Sequence, residues 1–386
     1  MAVFKDKEKT KDGRSWYFKT YKDKKAYKSK RYMTKKEAQE EEALFILKRD
    51  NPLHKSFPLV AKDYFTNLNI TGKPSTYNSY FKAYNTHIKP FFENDYIDSI
   101  DTQKIGIWHK YMLNKKQLSS SKKETNKKLS IAYLNKINAV LSNIFDFGIK
   151  NYKLTYNPVK MHGNFKDKKG TIKKDNKKFI TFEDFQKFIS VINNELWFTY
   201  FNFLFYAGTR KGEAMALHWE DIDFSNKTIK INKTLQVDIK GATFETTNKT
   251  DTERIVIMND DLYNVLYKYK QEQIKYKDFT EKWYVFGGSV PISKTTADRK
   301  KEQYFKEAGV QKITSHQFRH SLTTILCQEY VKVQKENNAK IDKYSFLSAL
   351  ANRNGHTVET MLKYYAYLFP DTEQEQVIDL LNNLKK

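Results

Sequence analysis

The sequence predicts a multidomain chain in three parts: a small β-sheet backed by one helix, an all-α region, and a mixed, mainly α region with a small β-sheet. Three observations predict it. Residues 1–56 hold two strand-like runs followed by a capped helix. Residues 57–160 space their apolar residues as helices do. Beyond 179, two runs rich in β-branched residues interrupt an otherwise helical pattern. The length, 386 residues, suits two or three domains.

In the first part, "SWYFKTY" and "KKAYKSKRYM" read as strands with "KDK" as the turn between them. Thr34 and Glu37 then form a capping box that opens the helix "KKEAQEEEALFILKR". Residues 1–36 carry 14 Lys and Arg against 4 acids. Period-two alternation puts Lys28 and Lys30 on one face of the second strand and Tyr27, Ser29 and Arg31 on the other. A two-stranded ribbon fits the DNA major groove, where such cations meet phosphates or guanine edges, so Lys28, Lys30 and Arg31 are candidate DNA contacts.

The second part predicts helices near 58–69, 75–89, 101–116 and 125–151. Leu134, Ile137, Leu141, Ile144 and Phe145 in the last keep helical spacing, and Asn157-Pro158 is a natural stop. Residues 161–178 read as a flexible basic linker, since 160–178 hold eight lysines and little that is apolar. In the third part, 179–386, "TFEDFQKFISVI" opens a helix and "LWFTYFNFLFYAG" reads as a buried one. "KTIKINKTLQV" and "ERIVIMN" read as strands that can pair, and the rest is mostly helix.

The net charge is +24, which points to a polyanionic partner, most often nucleic acid. A lysine-rich chain from an A/T-rich genome would share part of that signal. A single cysteine, Cys327, excludes a disulfide framework or a Cys-based zinc site and fits a reducing cytosol. The N-terminus has no apolar core of a signal peptide, the most apolar stretch is too short to span a membrane, and there is no phosphate-binding G-x-x-x-x-G-K-[ST] loop or H-E-x-x-H pair. The expectation is phosphate chemistry with no metal and no cofactor.

The residues that carry chemistry lie in the third part. "GHTVETMLKYYAYLFP" contains adjacent Tyr364 and Tyr365. In a helix from Thr357, Val358, Met361, Leu362 and Tyr365 share the inward face, and Tyr364 lies about 100° around, nearer solvent. His356 precedes this helix. "TSHQFRHSLTT" sets His316 and Arg319 on one helical face, Arg210 ends the buried aromatic helix, and Lys249 sits in a turn between strands. Arginine suits the non-bridging oxygens of a phosphodiester whose transition state gathers negative charge. A tyrosine hydroxyl is a nucleophile when a base or a cationic site helps it ionise, and histidine is the natural acid or base near neutral pH.

This order, R…K…H-x-x-R…G-H…Y over 156 residues, resembles the tyrosine recombinase family, specifically the lambda-type integrases of phages and integrative elements. The resemblance implies that Arg210, in its A-G-x-R-x-x-E setting, and Arg319 hold the scissile phosphate. It implies that Glu213 supports Arg210, that Lys249, His316 and His356 are catalytic, and that Tyr365, nine residues after His356, is the nucleophile. His320, next to Arg319, is expected to be structural. The chain departs from the family pattern in two places: Asn354 replaces the leucine before G-H, and 37 residues separate Arg319 from His356, with "KVQKENNAKIDK" reading as a polar insertion.

The resemblance further implies an arm-type DNA-binding domain (1–56), a core-binding domain (57–160) and a catalytic domain (179–386). It implies a homo-tetramer on double-stranded DNA with core and arm attachment sites, acting in the bacterial cytoplasm at the nucleoid, with no membrane. The implied activity is integration and excision of a mobile element through a 3′-phosphotyrosyl intermediate and a four-way junction. Whether an excisionase and a host DNA-bending protein take part is left open. The amphipathic tail "DTEQEQVIDLLNNLKK" is expected to cap its own domain or dock on a neighbouring protomer. Two rival readings stand: a type IB topoisomerase-like enzyme, and a recombinase-derived DNA-binding regulator without catalysis.

Overall fold

The computed structural model describes residues 3–8, 10–22, 25–50, 54–118, 124–166, 179–238, 242–247, 253–339 and 341–370. Lys249, residues 167–178 of the predicted linker and the tail 371–386 lie outside them. The chain divides into two units, Met1–Ile172 and Lys173–Lys386. Among the described residues no helix is long and apolar enough to cross a membrane.

The first unit begins with an antiparallel sheet of order β1-β2-β3: β1 (Val3–Lys5), β2 (Trp16–Lys22) and β3 (Lys25–Lys28). Helix α1 (Lys35–Asp50) packs against it. Phe18 is the buried centre, with the rings of Tyr27, Tyr32 and Phe45 around it at 5.6–6.3 Å. The predicted capping box is present. The Glu37 amide donates to Thr34 Oγ1 at 3.1 Å, and Glu37 Oε2 accepts from the Thr34 amide at 3.3 Å. The face assignment of the cations is corrected. Lys28 and Arg31 meet the same carboxylate, Asp6, at 3.4 and 2.6 Å. The strand stops at Lys28, so the two-residue alternation does not run on to Arg31.

Helices follow: α2 (Phe57–Thr71), α3 (Pro74–Ala83), α4 (Lys89–Phe92), α5 (Thr102–Asn114), α6 (Ile131–Tyr152) and α7 (Pro158–His162). They enclose a core that includes Phe57, Phe92, Trp108, Ile137, Leu141 and Phe145. Each such ring or branched side chain contributes roughly 1.5–3 kcal/mol when buried. The helix predicted over 75–89 is present as α3 and α4, continuous through a π-helical turn at Tyr84–Ile88. One expectation fails here, since the region is not all-α: β4 (Lys116–Leu118) pairs antiparallel with β5 (Glu124–Lys128). The sequence "ETNKK" brings no apolar stripe to bury, so the helix waits for Ser130, whose hydroxyl caps the Tyr133 amide at 3.2 Å.

The second unit contains α8 (Phe182–Ser190), α9 (Glu195–Tyr206), α10 (Lys211–Met215), β6 (Ile222–Asp223), β7 (Thr228–Ile231), β8 (Lys233–Val237), β9 (Thr243–Thr247), β10 (Arg254–Ile257), α11 (Asp260–Gln273), α12 (Lys294–Glu307), α13 (Ser315–Glu336), α14 (Lys343–Asn354) and α15 (Val358–Tyr365). The small sheet has antiparallel order β10-β7-β6, so the two predicted strand runs do pair, with Arg254 opposite Ile231. A separate ribbon is formed by β8 and β9. Helix α9 is apolar nearly all round and is buried accordingly, with Tyr200, Phe201, Phe203 and Leu204 inside. Phe188, Phe201, Phe305 and Phe318 interlock with ring centroids 4.3–6.0 Å apart. A second cluster of Cys327, Leu347, Leu350, Met361, Tyr365 and Phe369 holds α15 against α13 and α14. The first residues of the predicted insertion, 332–336, simply extend α13.

Candidate active site

Every described candidate residue from Arg210 to Tyr365 lies in the second unit. After α9 the chain turns at Gly208, whose φ of 59° is open to glycine at little cost. This turn sets Arg210 at the cap of α10. The Gly208 carbonyl accepts from Arg319 Nη1 at 3.2 Å, so one backbone turn positions both arginines.

Glu213, with a side chain only 1% exposed, is the hub beneath them. Its carboxylate accepts from the Arg210 amide (2.9 Å) and Arg210 Nη1 (2.7 Å). It also accepts from Arg254 Nη2 (2.7 Å) and Nη1 (3.3 Å). Burial pushes its pKa up, but the hydrogen bonds and charges of Arg254, then Arg210, outweigh this and hold it below the usual carboxylate range. Arg210 Nη2 reaches onward to the Gly355 carbonyl at 3.1 Å, and Arg254 Nε to the Arg353 carbonyl at 3.1 Å. Arg353 in turn donates to the carbonyls of Ile257 and Tyr206, both at 2.8 Å. The end of α14 is therefore tied to β10 and α9, which fixes the approach of His356.

Helix α13 presents His316, Arg319, His320 and Thr323 at i, i+3, i+4 and i+7, a single stripe. Arg319 is 1% exposed. Its Nε and Nη2 have no hydrogen-bond partner among the described residues, which suits donors reserved for an incoming anion. Burial, then the charges of Arg210 and Arg254, lower its pKa to about 9, so it remains a cation at neutral pH. Burial, then the charges of Arg319 and Arg210, depress the histidines. His316 falls below its ordinary value and His356 falls to about 3, so both are neutral. His356 Nδ1 is buried without a hydrogen-bond partner among the described residues.

Tyr365 closes the site. It is 3% exposed, whereas Tyr364 is 37% exposed. The Tyr365 hydroxyl shares a short hydrogen bond with His320 Nδ1. Burial pushes its pKa up to about 12, opposed by the Thr323 hydroxyl and the Arg319 charge. Asn354, in place of the expected leucine, is buried and donates to Thr323 Oγ1 at 3.0 Å. The departure from the family pattern has thus become part of a polar network behind the tyrosine.

Of the residues singled out in the sequence, Arg210, Glu213, His316, Arg319, His356 and Tyr365 form one electrostatically coupled set. Lys249 lies outside the described residues, between β9 and β10. Lys28, Lys30 and Arg31 lie in the first unit and have no part in this set. The sequence reading passed over Arg254, Thr323 and the contact of His320 with Tyr365. The last two were legible as the continuation of the His316–Arg319 stripe. Arg254 gives no local signal, because only strand pairing brings β10 to Glu213.

Residues 178–336 match the phage integrase family, and residues 56–113 match the phage integrase N-terminal SAM-like domain. The chain is similar to the ICEBs1 integrase of Bacillus subtilis (strain 168), with 29% identity over 345 residues that cover 85% of this chain and 83% of the relative. It also resembles the integrase of Staphylococcus phage L54a, 28% identical over 188 residues, covering 45% and 49% of the two chains. In fold it is similar to the Tn1549 transposon integrase in complex with transposon right end DNA, with a TM-score of 0.58 and 19% identity, covering 83% and 99%. A lambda integrase tetramer bound to a Holliday junction also shares the fold, with a TM-score of 0.52 and 15% identity, covering 91% and 95%. The segment that matches the phage integrase family holds Arg210, Glu213, His316 and Arg319, and Tyr365 is hydrogen-bonded to the helix of the last two, so the site lies where the chain is similar to that family.

Proposed function

We propose that this chain integrates and excises a mobile element by site-specific strand exchange, with Tyr365 as the nucleophile. The carrying observation is the buried Tyr365 hydroxyl, hydrogen-bonded to His320 on the helix that carries the buried Arg319, whose Nε and Nη2 have no hydrogen-bond partner among the described residues. Arg319 and Arg210 would grip the non-bridging oxygens of the scissile phosphate, and Glu213 keeps Arg210 oriented. The Tyr365 oxygen bonds to phosphorus, the bond to the 5′ oxygen breaks, and a 3′-phosphotyrosyl link forms with a free 5′ hydroxyl. Lys249 would supply the proton to that leaving oxygen. His316 and His356, neutral in the free protein, would donate hydrogen bonds to the phosphate and gain basicity as its charge enters. One phosphate ester replaces another, so rejoining to a partner strand needs no nucleotide.

Residues 1–56 would bind arm-type sites, 57–160 would bind core-type DNA as would the catalytic domain (179–386), and 161–178 would link the two. The ICEBs1, Tn1549 and lambda integrases support the reading of a mobile-element enzyme. The lambda structure, a tetramer on a Holliday junction, supports a homo-tetramer acting on double-stranded DNA through a four-way junction. Whether an excisionase and a host DNA-bending protein bias the direction is left open, and the work would be done in the cytoplasm at the nucleoid.

The test is covalent capture. Wild type and Tyr365→Phe are expressed in cells carrying the element's flanking DNA, the cells are denatured, and DNA attached to the protein is sequenced. Adducts at one discrete site with wild type, absent from the variant, are expected. Adducts that persist in the variant would assign the nucleophile elsewhere. DNA binding with no adducts from wild type would favour the non-catalytic regulator.

A further inference from the structure

We propose that His320, rather than serving only to pack α13, is the base that takes the proton of Tyr365 as that oxygen attacks the phosphate. The inference rests on the assignment of Tyr365 as nucleophile and deepens it. The contact itself is the first ground: His320 Nδ1 and the Tyr365 hydroxyl are hydrogen-bonded. A neutral imidazole accepts at one ring nitrogen while the other carries its proton, so this contact suits a transfer along a bond already formed.

The surroundings are the second ground. Thr323, the other hydroxyl beside Tyr365, donates its own proton to the Arg319 carbonyl at 2.8 Å and is no base. Glu213, the buried carboxylate of the site, is bound to Arg210 and Arg254. His316 sits edge-on to His320, with ring centroids 4.6 Å apart, one turn back on the same helix. His320 thus lies between His316 on its own helix and Tyr365 on α15. The charged and titratable groups coupled to the pair are Arg319, Cys327, Tyr367 and His356, and Arg210 acts on His356 as well. The Arg319 cation favours the phenolate as it forms, and the incoming phosphate balances the positive charge that the transfer leaves on the imidazole.

The step balances. In cleavage the Tyr365 proton passes to His320 Nδ1, the tyrosine oxygen bonds to phosphorus, and the 5′ oxygen leaves with a proton from a separate acid. In rejoining the 5′ hydroxyl loses its proton, its oxygen displaces tyrosine, and His320 returns the proton to Tyr365. No oxidant, reductant or net proton is needed.

The test uses full-length His320→Asn, whose side chain can hydrogen-bond near the Nδ1 position but cannot carry the proton. Single-turnover cleavage is measured on a nicked duplex of the captured site, beside wild type and Tyr365→Phe. Expected are an unchanged melting temperature and DNA affinity, and a cleavage rate reduced about 10²–10⁴-fold, the range for a lost general base. The deficit should shrink about tenfold per pH unit between pH 7 and 9, as hydroxide replaces the base. A fluorinated, more acidic tyrosine at position 365 should restore much of the rate. A substrate with a 5′-bridging sulfur, which leaves without a proton, should not. A wild-type rate in His320→Asn overturns the proposal, as does a deficit that neither pH nor the fluorotyrosine repairs, which would mark a purely positioning role. If Tyr365→Phe still cleaves, the nucleophile assignment is what fails.

Discussion

Glu213→Gln isolates the part played by one buried charge. Glutamine matches glutamate in shape but keeps only one accepting oxygen. The oxygen facing Arg210 Nη1 (2.7 Å) and Arg254 Nη1 (3.3 Å) can be retained. The amide NH₂ then stands where Oε2 now accepts from the Arg210 amide (2.9 Å) and Arg254 Nη2 (2.7 Å). Two charge-assisted bonds become donor facing donor, at about 1.5–3 kcal/mol each. Two guanidinium groups also lose their counter-charge, and breaking a buried pair from one side costs roughly 3–5 kcal/mol in total. In a unit of this size, ~3–5 kcal/mol lowers the melting temperature on the order of 10 °C. Scanning calorimetry of the full chain reads this directly, with Glu302→Gln as the control. That residue pairs with Lys312 at the surface, 56% exposed, so its loss should barely register. Covalent capture by Glu213→Gln should fall as well, because Arg210 is no longer held. A melting temperature within about 1 °C of wild type, with capture intact, would refute the view of Glu213 as the keystone.

Two further outcomes follow from the geometry. Gly208→Ala must hold a φ of 59°, which costs about 1–2 kcal/mol for an L side chain, and it sets a Cβ 2.8 Å from Asn354 Oδ1. Because the Gly208 carbonyl anchors Arg319, cleavage should drop further than stability, and equal, small losses would show that the turn can shift freely. Acid should also weaken the fold. Burial, then the charge of Lys115, lowers the pKa of His87 to about 4, and this histidine is only 6% exposed. The unfolded chain therefore takes up its proton near its ordinary pKa, about 6.5, while the folded chain does not. The stability is full above that value and is lost as pH falls toward 4, by roughly 2 kcal/mol between pH 7 and pH 5. Urea midpoints at the two pH values measure the loss, and His87→Gln should flatten the dependence.

What could be read from the residues alone was whatever depends on short spacing. Helical spacing marked α2 and α5, a continuous apolar run marked the buried α9, and Thr34-x-x-Glu37 marked the start of α1. Helical angle placed Tyr365 inward and Tyr364 outward, as their exposures of 3% and 37% show. Where alternation had no strand left to act on, at Arg31, and where a polar stretch found a strand partner, at β5, the local reading failed.

The linear order R, H-x-x-R, G-H, Y set which side chains could assemble and on which helical faces, because those depend on a few adjacent torsions. Only the tertiary structure decided that Arg254 would share Glu213 with Arg210, that Asn354 would bond to Thr323, and that His320 would meet the tyrosine hydroxyl. Those contacts join residues 31 to 45 positions apart, with the shortest link between two separate helices. They exist because strand pairing and the packing of α13 against α14 and α15 exclude water and bring distant polar groups into one low-dielectric site, which no local pattern encodes.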